Sequence, residues 1–155
     1  MFFNLTNISS IDFIDFDMSS VISMSSMFDG CTNLISLNLN SFDTSKVLYM
    51  DYMFNNCNNI RLLNMDNFNV YSVILMNNMF ENCPSLITLN LNSFRTSKVT
   101  TMKSMLSLCK SLIFLDINNF DTSSISDMEY MFYDCEKFRA LKKIILGECL
   151  NLEFT

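Results

Sequence analysis

No histidine occurs anywhere in the 155 residues. That absence rules out Ser-His and Cys-His nucleophile pairs and His-ligated zinc, and removes the one side chain whose unperturbed pKa lies near neutrality. Glycine and proline number only two and one, too few to build a linker, so residues 1–155 are expected to form a single domain. Half of the residues are apolar, yet polar positions break every run well short of the ~18 residues that a membrane helix needs. No direct membrane insertion is expected. Ten Lys and Arg stand against sixteen Asp and Glu, a net charge of −6, and the basic residues are scattered, which argues against a nucleic-acid partner. The carboxylates show no pairing signal, and there is neither a C-x-x-C nor a second ligand type for zinc. The chain therefore reads as a protein with no catalytic residues, no metal site and no cofactor.

What is present is a repeat. Cys31, Cys57, Cys83, Cys109 and Cys135 lie 26 residues apart, as do Phe16, Phe42, Phe68, Phe94 and Phe120, and Met24, Met50, Met76, Met102 and Met128. A period between about 20 and 50 residues marks a solenoid, in which no turn can bury its apolar face alone. From one Cys the unit reads C-x-x-L-x-x-L-x-L-x-x-F-x-T-S-x-V-x-x-M-x-x-M-F-x-x.

Two spacings sit inside each unit. Leu37 and Leu39 alternate with polar residues, the signature of a strand with one buried face. Val47, Met50, Met53, Phe54 and Cys57 fall at i, i+3, i+6, i+7 and i+10, the stripe of a short helix. Ser45, Ser97 and Ser123 precede the stripe as candidate N-caps, with Ser72 in place of Tyr71 in one repeat. The spacing predicts strands near 36–40, 62–66, 88–92 and 114–118, and helices near 46–56, 72–82, 98–108 and 124–134. The expected fold is thus α/β: a right-handed solenoid of about six turns of 26 residues, each with one short parallel strand and one short helix. Six rungs at about 4.8 Å would give a stack roughly 25 Å long.

The segment L-x-x-L-x-L, with Met-Phe-x-x-Cys-x-x-Leu before it and Phe-Asp-Thr-Ser-x-Val after it, resembles the BspA-like leucine-rich repeat family of surface proteins over roughly residues 1–135. Ordinary leucine-rich repeats carry Asn where this chain carries Phe42, Phe68, Phe94 and Phe120, so a phenylalanine spine is expected in place of an asparagine ladder. The resemblance implies a leucine-rich-repeat solenoid that presents a surface and a location at the cell surface or outside the cell. A cytoplasmic location is the alternative, favoured by free thiols and by the lack of a basic n-region at Met1-Phe2-Phe3.

The first turn begins in mid-repeat: Met1-Phe2 fall in the Met-Phe columns, Leu5 in the Cys column, and Ile8, Ile11, Phe13, Phe16 and Val21 fill the rest. An uncapped end of this kind is expected in a segment of a longer protein, or in a chain whose open end meets a partner or another copy of itself. At 135–155 the pattern is irregular: Leu141, Ile144 and Leu146 repeat L-x-x-L-x-L three residues late, and Cys149 takes the Phe column.

Three columns admit two readings each. The cysteines fit buried free thiols acting as small apolar residues, against disulfides between rungs. The Met and Phe columns fit core packing, against a Met-rich groove for varied partners. The Thr44, Thr96 and Thr122 column invites an ice- or mineral-binding face, although Met18 and Val70 interrupt it. The candidate binding surface is the outer face of the sheet, with Asp12, Asn38, Asn64, Asn90 and Asp116 in one column and Asn40, Asp66, Asn92 and Asn118 in the next. Stacked rungs turn these into ladders that either stabilise the sheet by hydrogen bonds or meet a protein partner. The expected function is a non-enzymatic recognition module of adhesin type; an intracellular scaffold and a structural spacer are the alternatives.

Overall fold

The computed structural model describes residues 2–14 and 16–137, and the backbone of 144–146. Among the described residues six short strands occur: β1 (Ser10–Ile11), β2 (Ser36–Leu37), β3 (Leu62–Leu63), β4 (Thr88–Asn90), β5 (Phe114–Ile117) and β6 (Ile144–Leu146). All pairings are parallel, in a two-stranded sheet β1-β2 and a four-stranded sheet β3-β4-β5-β6. They start where the Leu alternation placed them and are shorter than expected. Register from β3 to β5 advances by one repeat, as in Leu63 opposite Leu89 opposite Leu115. From β5 to β6 it advances by three residues more, with Leu115 opposite Ile144 and Ile117 opposite Leu146, which bears out the late L-x-L.

The helices are not there. Among the described residues no α-helix forms, and 46–56, 72–82, 98–108 and 124–134 are chains of tight turns. The third rung shows why. Met53 N–H closes a turn on Met50 O at 3.3 Å, Cys57 N–H one on Phe54 O at 3.2 Å, and Ile60 N–H one on Cys57 O at 3.2 Å. Tyr52 and Asn56 hold left-handed φ of 57° at the third positions of the first two turns, the geometry that a type II turn requires and a helix forbids. The N–H groups that a helix would use internally point instead to the next rung: Met50, Tyr52, Phe54 and Asn56 donate to Leu75, Asn77, Met79 and Glu81 O at 2.8–3.0 Å. Parallel bridges Ser23–Tyr49–Leu75–Thr101–Asp127 mark the start of this second stack. The α/β expectation is corrected to an almost helix-free parallel solenoid. Six complete turns are not shown either: the turn stack has five members at those bridges, and most of 135–155, Cys149 included, lies outside the described residues.

Turn chemistry matches the sequence in a way that the capping reading missed. Ser45 and Ser123 do not accept; their backbone N–H groups donate to Asp43 and Asp121 Oδ1, both at 2.9 Å, and Tyr71 N–H donates to Asn69 Oδ1 at 3.0 Å. Side-chain turns of this Asx type satisfy donors at the corners after Phe42, Phe68 and Phe120, whereas Arg95 stands at that place after Phe94. Hydrogen bonds from Ser45 and Ser123 hold the Asp43 and Asp121 carboxyls below their ordinary value. The second left-handed column, Asn4, Gly30, Asn56, Asn82, Leu108 and Asp134, is filled mostly by residues that tolerate it. At Gly30 a Cβ would also collide with Asn4 Oδ1.

One continuous core lies between the strand stack and the turn stack. The expected spine is present: Phe16, Phe42, Phe68, Phe94 and Phe120 follow one another at 6.2–6.5 Å between ring centroids, with interplanar angles of 12–22°. A second, tighter stack runs through Phe2, Phe28, Phe54 and Phe80 at 5.3–5.6 Å. Methionines of both Met columns are buried from Met24 to Met105, so these columns are core and not an exposed groove.

Candidate recognition surface

The strand face was expected to carry the site. Of the nine polar residues expected there, eight are exposed and Asp116 is half-buried. The first column is already occupied by local structure. Asn38, Asn64, Asn90 and Asp116 each accept, through Oδ1, the backbone N–H two residues on, that of Asn40, Asp66, Asn92 and Asn118, at 2.9–3.1 Å. These residues make the corner that ends each strand, and only Asn90 Nδ2 to Asp66 Oδ1, at 3.3 Å, joins the two columns across rungs. Asp12 is exposed beside them. Direct rung-to-rung side-chain bonds also run from Asn119 Nδ2 to Asn92 Oδ1 beside the face and, in the turns, from Asn55 to Asp29, Asn59 to Asn33 and Asn82 to Asn56, the last three at 2.8–3.1 Å.

What the face offers beyond backbone support is apolar. Leu62, on β3, is 61% exposed, and Ile35, Ile87 and Ile113, one residue before β2, β4 and β5, are 40–51% exposed. Arg61 takes the place in that column between Ile35 and Ile87. With Ser85, Ile87, Ser111, Ile113 and Lys137 it lines a shallow groove of about 280 Å³ beside the sheet. Sequence reasoning passed over this column because strict alternation from Leu37 turns residue 35 inward; the corner at Cys31–Leu34, closed by Leu34 N–H to Cys31 O at 3.1 Å, turns it outward. The signal that could have found it is an apolar residue recurring every 26 positions immediately before the outward column.

The thiols have a defined role. Cys31, Cys57, Cys83, Cys109 and Cys135 are all free and buried. Each Sγ–H donates to the carbonyl oxygen of the residue 29 positions back: Phe2, Phe28, Phe54, Phe80 and Leu106, at 2.9–3.2 Å. Burial pushes every one of these thiols above its ordinary value, well above for Cys83 and to about 11 for Cys135. A protonated, buried sulfur is a packing and hydrogen-bonding group and a poor nucleophile. The threonine column is interior as well. Thr44 and Thr96 are buried, each Oγ1 donating to the carbonyl of Asn69 or Asp121 and accepting the same residue's N–H, at 2.8–3.0 Å. It forms no face for ice or mineral.

Stacked parallel rungs, a shared core and a side-chain pattern renewed every 26 residues define a solenoid repeat protein. Over residues 1–112 and 50–145 the chain matches the family described as Mycoplasma protein of unknown function, DUF285. It belongs to that family, which is associated with BspA-like repeat proteins. No curated protein and no solved structure matches it.

Proposed function

We propose that this chain is a non-enzymatic, BspA-like recognition module of a cell-surface protein, binding a protein partner through the strand face of its solenoid. The observation that carries this reading is the exposed apolar group Ile35, Leu62, Ile87 and Ile113, recurring at rung spacing where a solvated sheet would need only polar residues. Arg61 and the serines of the adjoining groove add donors around it, and the Asn and Asp corners hold its shape. Exposed apolar side chains framed by fixed polar ones are the anatomy of a protein interface. The test places a photo-crosslinking residue at Ile87 and, in a control, at Lys46, an exposed position in the turn after Phe42. A partner protein joined from Ile87 and not from Lys46 supports the reading; one joined from both or from neither favours a spacer. An intracellular scaffold is the second reading, favoured by the five free thiols. Protease digestion of intact producing cells separates the two, since a surface module is cleaved and a cytosolic one is spared.

A further inference from the structure

The turn stack carries a second concave site. Glu81, Ser104, Ser107, Leu108, Tyr130 and Tyr133 enclose a groove of about 440 Å³. It exists because the repeat falters at one rung. The column 26, 52, 78, 104, 130 reads Ser, Tyr, Asn, Ser, Tyr, and the column 29, 55, 81, 107, 133 reads Asp, Asn, Glu, Ser, Tyr. In the two preceding rungs larger residues fill these places, Tyr52 with Asn55 and Asn78 with Glu81: Asn55 donates to Asp29 at 3.0 Å, and Asn78 Nδ2 to Glu81 Oε2 at 2.7 Å. At 104 and 107 both residues are serine, set between Asn78 and Glu81 on one side and two tyrosines on the other. Both serines are largely buried, at 8% and 3% exposure, and since among the described residues no side-chain oxygen is both buried and unpartnered, their hydroxyls open onto the groove.

The walls specify the chemistry. Tyr130 and Tyr133 meet edge to face with centroids 5.8 Å apart, leaving flat apolar surface and two phenol groups. Glu81 opposes an anion. Lys103, paired with Glu129, already lies 5.7 Å from the Tyr130 ring, which disfavours a second cation. Aromatic wall, hydroxyl floor and a single carboxylate acceptor suit a neutral ring with an apolar C–H face and several hydroxyls. We propose that this notch binds one or two sugar units of a glycan, stacked on the tyrosines and hydrogen-bonded to Ser104, Ser107 and Glu81. The site is separate from the strand face and does not depend on the protein-binding reading.

The test is saturation-transfer NMR on the whole chain with methyl β-glucoside, methyl β-galactoside and N-acetylglucosamine, each at about 10 mM. Transfer to the ring protons of at least one sugar is expected. Ser104→Asn with Ser107→Asn fills the notch using residues that the same columns carry at Asn78 and Asn55, and Asn suits the left-handed φ of 53° at position 104. That pair, and separately Tyr133→Ala, should weaken the signal at least tenfold while the circular dichroism stays unchanged. If the filled variant fails to fold, the exposed Tyr133→Ala decides alone. Absence of transfer from all three sugars, transfer unchanged by these variants, or stronger transfer to tetramethylammonium would overturn the proposal.

Discussion

Raising the pH through the thiol range should dismantle this protein from its core. In the unfolded chain the cysteines lose their protons near the ordinary value of 9.0, whereas Cys57, Cys83 and Cys109 hold theirs well above it because burial disfavours the thiolate. Above that pH the native state therefore binds more protons than the unfolded state, and stability falls as pH rises; below it, the contribution is complete. Each such thiol loses about 1.4 kcal/mol per pH unit, so these three together remove roughly 4 kcal/mol per unit above about pH 9. A domain holding about 5–15 kcal/mol approaches its limit within one or two units. Cys135, raised to about 11, adds to the loss up to that pH. The assay is urea unfolding followed by circular dichroism at steps from about pH 8 to about pH 10.5. Cys83→Ala supplies the control. It should cost about 1 kcal/mol at neutral pH, through a small cavity and the loss of the thiol bond to Phe54 O, yet flatten the alkaline slope by about one proton. A wild-type stability that stays level across this range, or a variant with an undiminished slope, would refute the account.

The same burial predicts that a thiol reagent reacts with few groups in the native protein and with all six cysteines after denaturation. Phe94→Ala should cost ~3–5 kcal/mol, and Phe80→Ala as much, because both rings are fully buried within their stacks; equal melting of either variant and the wild type would remove the spines from the account. Leu108 holds a left-handed φ of 63° in a column otherwise filled by Asn, Gly and Asp, so Leu108→Asn should raise stability by about 0.5–1 kcal/mol, read as a higher melting temperature.

Much of this architecture could be read directly from the chain, for a physical reason. A stack repeats each environment once per turn, so inward positions announce themselves as columns: the Cys, Met and Phe columns, the strand starts at Ser36, Leu62, Thr88 and Phe114, and the late L-x-L at Ile144 and Leu146. The element between Val47 and Cys57 could not be read, because steps of three residues place side chains on one side whether the backbone is helical or a run of tight turns. What separates the two is the destination of the N–H groups, and that destination is the next rung, available only once rungs stack. Asn38 and Asn64 looked free for a partner until the tertiary structure brought their oxygens to the backbone at Asn40 and Asp66. Residue type and spacing determined which side chains are buried; the pairing of neighbouring turns decided what backbone carries them, which polar groups are already satisfied, and where a notch is left open at Ser104 and Ser107.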